Sequence, residues 1–382
     1  MGTFKELLAK HCPDGAKLCS VEDVCKKLKG TPGITATLMK QISDPLGPVD
    51  IFAGGETHVK AFKSAIPNAN IIAIPSCLIQ SRGIIDCIYH DGDYTFKNEM
   101  WAYAPRSAAL NSKYLYYYLK TQLPRLRQIA AMRPSMPQIS VSDTDSLTIP
   151  LPPIEIQQKI AGTLDKFTEL ETELETELEE RNRQYAFYRR KLVANGVPEV
   201  PLRDLVAIVK GKQLNKELCS KVQTKEAPFP VVNGGMQPSG YWDECNSEGN
   251  KITIAQGGAS GFINWQDMPF WAGAHCFVVN SWNDKKLDYK YLYYFLKEKQ
   301  TNLQSQKHGA TIPSLSKEAI FSLSIPLPPL EVQEKIAGIL DKFTALTCSM
   351  NEGIPAEISL RRKQMAWYRN AMFEALSGRE EE

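Results

Sequence analysis

No hydrophobic run in this chain is long enough to cross a bilayer. A spanning helix needs about eighteen or more consecutive apolar residues, so a membrane span is not expected. The first residues, Met1-Gly2-Thr3-Phe4-Lys5-Glu6, carry no apolar core of the kind a secretory leader uses. The nine cysteines are odd in number, scattered, and form no Cys-x-x-Cys pair. That spacing argues against a zinc site or a disulfide framework and suits reduced thiols in a cytoplasm. No Gly-Lys-Ser/Thr follows a glycine-rich loop, no GxGxxG opens a helix, and HExxH and GxSxG are absent. The five histidines, His11, His58, His90, His275 and His308, stand apart from one another in sequence. No catalytic constellation is therefore visible, and no metal or cofactor is expected.

Acidic residues are missing where basic ones collect. Between Trp101 and Ser142 there is no Asp or Glu, whereas Arg106, Lys113, Lys120, Arg125, Arg127 and Arg133 fall inside that window. Between Tyr289 and Lys317 the one acid, Glu298, faces Lys290, Lys297, Lys299, Lys307 and Lys317. The formal net charge of +2 hides this local imbalance. Spaced cations without nearby acids suit the neutralisation of phosphates along a nucleic acid.

What the chain does contain, it contains twice. Ile149-Pro150-Leu151-Pro152-Pro153-Ile154-Glu155 opens a stretch that returns, nearly unchanged for over twenty positions, from Ile325-Pro326-Leu327-Pro328-Pro329-Leu330-Glu331. Lys113-Tyr114-Leu115-Tyr116-Tyr117-Tyr118-Leu119-Lys120 likewise recurs as Lys290-Tyr291-Leu292-Tyr293-Tyr294-Phe295-Leu296-Lys297. The distance between copies far exceeds the ~20–50 residues of a solenoid repeat, so a whole domain has been duplicated. Between these anchors the halves barely align. Faint echoes remain, such as Phe52-Ala53-Gly54-Gly55 against Val232-Asn233-Gly234-Gly235. Loops drift fastest in any duplicated gene. Drift alone poorly explains framework held near identity beside inserts so different.

The repeated segments are predicted helices that begin after Pro152-Pro153 and Pro328-Pro329, since proline suits a helix entrance and not its interior. In the first, Ile160, Leu164, Phe167, Leu174, Leu178, Tyr185, Tyr188 and Leu192 follow 4,3 spacing, with Glu171 and Arg181 as polar members. Such a stripe over about forty residues implies a rod of ~60 Å that needs a partner helix. The second copy keeps the stripe through Ile336, Leu340, Phe343, Met350, Ile354, Ile358, Met365, Tyr368 and Met372, but spacing becomes 4,4 around Ile354. Gly353 and Pro355 flank that place, so a break is expected there. If the helices pack together, they run antiparallel and the halves are related by a pseudo-twofold. Three tandem copies of Thr-Glu-Leu-Glu, from Thr168 to Glu179, lie within the first helix. Four residues nearly match the helical period, so adding or losing one copy changes length while preserving the helix.

The inserts read as compact mixed domains. Strand-like runs are Ile71–Ile74, Ile84–Tyr89, Ile252–Ile254 and Cys276–Val279. Glycine-bearing loops separate them, and Gly257-Gly258-Ala259-Ser260-Gly261 suits a tight turn better than a phosphate cradle. These residues leave three functions open: a DNA-reading scaffold, an enzyme with its own nuclease or methyltransferase site in an insert, or a coiled-coil assembly protein. An Asn/Asp-Pro-Pro-aromatic motif and a glycine-rich methyl-donor loop are both lacking.

The two IPLPPxExQxKIAGxLDKF segments, the helix ends Tyr185-Ala186-Phe187-Tyr188-Arg189 and Met365-Ala366-Trp367-Tyr368-Arg369, and the paired inserts together resemble the specificity subunit of type I restriction–modification enzymes over essentially the whole length. The resemblance implies an α+β chain: two α/β target-recognition domains, at 1–148 and 195–324, joined by long antiparallel coiled-coil helices at 149–194 and 325–382. It implies that each recognition domain reads half of a split site in double-stranded DNA. Adenine methylation, ATP-driven translocation and cleavage would belong to partner subunits, two of them methyltransferases, in the cytoplasm. The candidate DNA contacts are Lys60, Lys63, Arg82, Arg106, Arg125, Arg127, Arg133 and Ser135 in the first half. In the second they are Asn233, Gln237, Gln256, Ser260, Lys297, Lys299, Lys307 and His308. Cations would position phosphates and the loop amides, hydroxyls and imidazole would read bases. The helix-packing and partner candidates are Leu164, Phe167, Leu174, Leu178, Tyr185, Tyr188, Leu340, Phe343 and Tyr368.

Overall fold

The computed structural model describes residues 2–13, 15–133, 136–193, 197–281, 286–306, 314–349 and 352–377. The chain divides into two units, one comprising Met1–Leu174 with Ile358–Glu382 and the other Glu175–Glu357.

In the first unit, strands Cys25–Leu28, Trp101–Pro105, Ser76–Gln80 and Asp86–His90 form an antiparallel sheet in that order. All five residues of Ser76–Gln80 are buried, because each face of this central strand is covered. Successive side chains point to opposite faces. Cys77 and Ile79 accordingly meet Tyr114, Leu115, Tyr118 and Leu119 of helix Ser112–Ala131 in one core. Leu78 joins Tyr94, Phe96, Met100 and Ala102 in another. The second core is shared with a smaller sheet, His58–Ala61, Val49–Phe52 and Tyr94–Phe96, whose first pair is antiparallel and second parallel. Lys17–Ser20 pairs antiparallel with Thr148–Leu151, so the strands that enter and leave the domain close it.

The second unit repeats this arrangement of sheets. Val206–Lys210, Cys276–Ser281, Lys251–Ala255 and Ile263–Gln266 form its four-stranded sheet. Tyr241–Trp242, Phe229–Val232 and Trp271–Ala272 form the smaller sheet, again with one antiparallel and one parallel pair. Glu199–Pro201 pairs with Ser324–Pro326 to close the domain. Helix Tyr289–Ser305 stands where Ser112–Ala131 stands in the first unit. Both helices start on a side-chain cap: Asn111 accepts from the Tyr114 amide at 2.9 Å and Asp288 from that of Tyr291 at 2.7 Å. The inserts that hardly align in sequence therefore share one topology.

Ile154–Val193 is continuous, whereas the second copy is broken into Leu330–Cys348 and Gly353–Leu376. The break coincides with Gly353, whose φ is +75°; a Cβ there would lie 2.5 Å from the Leu346 carbonyl oxygen. Two strand expectations need correction. Ile71–Ile74 forms no strand: Ile72 makes an isolated bridge to Tyr94, and Pro75 withholds the amide that would continue a ladder. The run beginning at Ile84 enters its strand only at Asp86, because Gly83, at φ +70°, still belongs to the preceding turn.

Candidate nucleic-acid interface and helix seam

A buried glutamine in each repeated helix explains why the framework is held so closely. Gln157 accepts the Asn111 amide at 2.8 Å and donates to the carbonyls of Ala109 and Pro152, both at 2.8 Å. Gln333 does the same with the Asp288 amide and the carbonyls of Lys286 and Pro328. Both side chains are fully buried. Just over two turns along, Asp165 accepts from Lys113 at 2.7 Å and from the Tyr117 hydroxyl at 2.8 Å. Asp341 repeats the pairing with Lys290 and the Tyr294 hydroxyl. Burial, with the adjoining carboxylate second, pushes the Tyr294 phenol well up. Each Lys/Tyr helix is thus bolted to the helix that follows its domain.

The seam follows the heptad reading. In the first unit Leu164 is fully buried, and Phe167 stacks on Tyr368 with centroids 5.5 Å apart. Glu171, a polar seam member, pairs with Arg362 at 2.6 Å. Phe373 packs on Tyr114 and Tyr118. The numbering rises along one helix as it falls along the other, so these segments are antiparallel. In the second unit Tyr185 and Tyr188 both pack on Phe343, Leu340 is fully buried, and Arg189 pairs with Glu298 at 2.7 Å. Leu174 and Leu178 are half-buried among exposed neighbours. Glu298, the one acid of the second basic window, and Arg189, the end of a repeated motif, were visible in the sequence but not as partners of each other; Arg362 and Phe373 were not singled out, and Phe373 lies one residue beyond the stripe at Met372.

Tertiary structure supplies the acids that the basic windows lack. Lys113 meets Asp165, Lys120 meets Asp86 at 2.6 Å, and Arg133 meets Asp143 at 2.7 Å. Arg133 also donates to the Gln138 carbonyl at 3.1 Å. Burial opposes ionisation of Asp143, but bonds from Ser140 and Arg133 outweigh it and hold its carboxyl below the usual carboxylate range. Arg106 donates to the Glu22 carbonyl and Arg127 to that of Ile85. Lys60, Lys63, Arg82 and Arg125 are exposed. Ser135, Lys307 and His308 lie outside the described residues.

In the second unit a cleft of about 220 Å³ opens between the small sheet and the large one. Asn233, Gln237, Thr253, Asn264 and Gln266 line it, with Phe262 among the apolar walls. Gln237 is exposed, and the Asn233 side-chain oxygen Oδ1 accepts the His275 backbone amide at 2.9 Å. Ser260 is fully buried and donates to the Gln256 carbonyl at 3.0 Å, so it staples the glycine turn. The Gln256 side-chain oxygen is buried without a hydrogen-bond partner among the described residues. Gly258, at φ +66°, brings its turn against Gly234: a Cβ would lie 2.7 Å from the Gly234 carbonyl oxygen. Lys297 is half-buried over Phe262, donates to the Ile263 carbonyl at 2.7 Å, and burial lowers its pKa. Lys299 lies over the Phe295 ring. Thr253, Asn264 and Gln266 were missed in the sequence, although polar residues alternating through Ile252–Ile254 and Ile263–Gln266 were the available signal.

Burial pushes the Cys25 and Cys276 thiols up to about 12, which removes their thiolate at neutral pH. Among the described residues no group of three or more His, Cys, Asp or Glu could hold a metal ion, and no helix is long and apolar enough to cross a membrane.

Two domains of one topology, each bolted to a long framework helix, define a duplicated recognition scaffold. The sequence profile of the type I restriction modification DNA specificity domain matches it twice, over residues 15–181 and 195–360. The chain belongs to that family and is a type I restriction–modification specificity subunit with two DNA specificity domains, a kind of subunit that is in general non-catalytic. It is 28% identical over 305 residues to the type I restriction enzyme MpnII specificity subunit of Mycoplasma pneumoniae, covering 62% of this chain and 92% of that one. Against the EcoR124I/EcoR124II specificity subunit of Escherichia coli it is 28% identical over 292 residues, covering 68% and 70%. Its fold is similar to the type I restriction–modification S subunit from M. genitalium, with TM-score 0.60 and 18% identity over 96% of each chain.

Proposed function

We propose that residues 1–148 and 195–324 each read one half of a split double-stranded DNA site. The helices at 149–194 and 325–382 set the separation of the halves and dock two methyltransferase subunits. Adenine methylation then takes place on the partner subunits, ATP-dependent translocation and cleavage on restriction subunits, and the assembly works in the cytoplasm. The exposed cations Lys60, Lys63, Arg82 and Arg125 position phosphates, and Gln237 with the other cleft amides reads base edges. One observation carries this reading. Two domains share every sheet and its strand order, yet the segments between those strands differ in sequence, as two readers of different half-sites would.

The test is base-resolution mapping of methylated adenines in cells that express this chain with its methyltransferase. A split motif with a fixed gap is expected. A contiguous motif, or methylation without sequence preference, would sink the proposal.

A further inference from the structure

Inside the two divergent inserts one cation survives duplication where the sequence around it does not. Lys29-Gly30 returns as Lys210-Gly211. The two pairs occupy one place in the fold. A row of paired residues crosses the large sheet of the first unit through Leu28, Ala102, Leu78 and Ile88. Its counterpart in the second unit runs through Val209, Val278, Thr253 and Asn264. Each lysine directly follows the first residue of its row.

Backbone geometry explains the glycine. A Cβ on Gly30 would lie 2.0 Å from the Phe96 carbonyl oxygen, and one on Gly211 would lie 2.4 Å from that of Ala272. Phe96 and Ala272 are themselves equivalent, at the ends of the parallel pairs in the small sheets. No such constraint holds the lysine. Lys29 and Lys210 are exposed, and among the described residues neither ammonium has an ion-pair partner.

In the second unit Lys210 lines a cleft of about 300 Å³, separate from the amide-lined one. Lys212 and Lys251 line it as well, with Asn280 and Ser247, against one acid, Glu248. Three cations and two neutral donors suit an anion. Residues paired across antiparallel strands share a face of the sheet. Val209 and Val278 of the row line the lysine cleft, and Thr253 and Asn264 line the amide cleft. Two strand spacings of ~4.8 Å therefore separate the clefts by roughly 10 Å. The DNA major groove is ~8.5 Å deep, which is about the distance from base edges on its floor to phosphates at its rim.

Two half-sites of different sequence have the sugar–phosphate backbone in common. A cation kept in both readers answers to that shared chemistry, whereas the side chains that differ answer to bases. We propose that Lys29 and Lys210 are equivalent anchors for a DNA backbone phosphate, seated beside the base-reading surface and indifferent to base sequence. Lys212 and Lys251 complete the anion site in the second unit. The ligand rests on the proposed function. The addition is a phosphate site outside both acid-poor windows.

The experiment uses the full chain assembled with its methyltransferase subunits on a duplex carrying the mapped split site. Affinity is read by fluorescence anisotropy over a salt series. Lys29→Ala and Lys210→Ala are each expected to reduce the slope of log affinity against log salt by about 0.9, and the double variant by about 1.8. Lys29→Arg and Lys210→Arg keep the parent slope. Methylation maps of every variant keep the parent's bases and gap. Lys10→Ala, on the exposed side of helix Gly2–His11, removes the same charge and leaves the slope unchanged. The parent slope in the double variant would overturn the proposal, as would an equal loss in Lys10→Ala or altered bases in either half-site. A parent that selects no split site would remove the proposed function and this site with it. A selective parent with unmoved slopes removes this site alone.

Discussion

At the scale of single residues, Gln157 and Gln333 carry more of the architecture than their exposure to notice in the sequence would suggest. Each satisfies one amide and two carbonyls, and the bonds to the Pro152 and Pro328 carbonyls are buried. Truncation leaves the buried carbonyl bare, at about 1–3 kcal/mol, while the part-buried groups can turn to water. Gln157→Ala is expected to lower stability by roughly 2–3 kcal/mol in urea unfolding, and a change within ~0.5 kcal/mol would refute the clamp. Arg133 and Arg125 separate two roles that a basic window confounds. The Arg133 guanidinium is already engaged by Asp143 and Gln138. Asp143 is held below its ordinary value in the fold, so the stability it contributes is present above the unfolded carboxylate value and is lost as pH falls through the folded one. Arg133→Ala is accordingly expected to destabilise at neutral pH and to differ little from the parent in strong acid. Arg125→Ala, on an exposed side chain, should instead leave stability unchanged and flatten the salt dependence of DNA binding by about one phosphate's worth. An unchanged salt slope for Arg125→Ala would remove it from the interface.

At the scale of elements, the two framework helices differ for reasons of backbone chemistry. Gly353 adopts a left-handed conformation against the Ala345 and Leu346 carbonyls, and any side chain would collide with them. Gly353→Ala is expected to cost roughly 1–2 kcal/mol or more from backbone strain alone. Gly338, inside the preceding helix with open space around its Cα, is the control: Gly338→Ala should stabilise by about 0.5–1 kcal/mol. Equal effects from the two substitutions in thermal unfolding would contradict this account of the break. The tandem Thr-Glu-Leu-Glu copies contain the boundary between the units, which falls after Leu174. Removing Thr172 through Glu175 shortens the helix by ~6 Å and turns one end by ~40° relative to the other. Since duplex DNA rises ~3.4 Å per base pair, the gap between half-sites is expected to shrink by about one to two base pairs with the bases of each half unchanged. Methylation maps with the same gap, or with altered bases inside a half, would refute the ruler.

At the scale of the whole molecule, function follows from repetition. Each domain is closed by its own pair of framework strands and fixed to its own framework helix. Its interior can therefore change without disturbing the other domain. Exchanging residues 30–148 for the matching insert of a relative is expected to change one half-site and leave the second intact. Both halves changing together would end the modular reading. By itself the sequence determined the duplication, the helix starts at the proline pairs, the heptad seam and the break beside Gly353. All of these are written in spacing or backbone stereochemistry within a few residues of each other. Only the tertiary structure decided that the two divergent inserts share one topology, that Asp86, Asp143 and Asp165 occupy cations of the acid-poor window, and that Gln157 and Gln333 lock helix to domain. Those partners lie 10 to 52 residues apart along the chain. Burial and ion pairing depend on distance in space, and local sequence pattern carries no record of it.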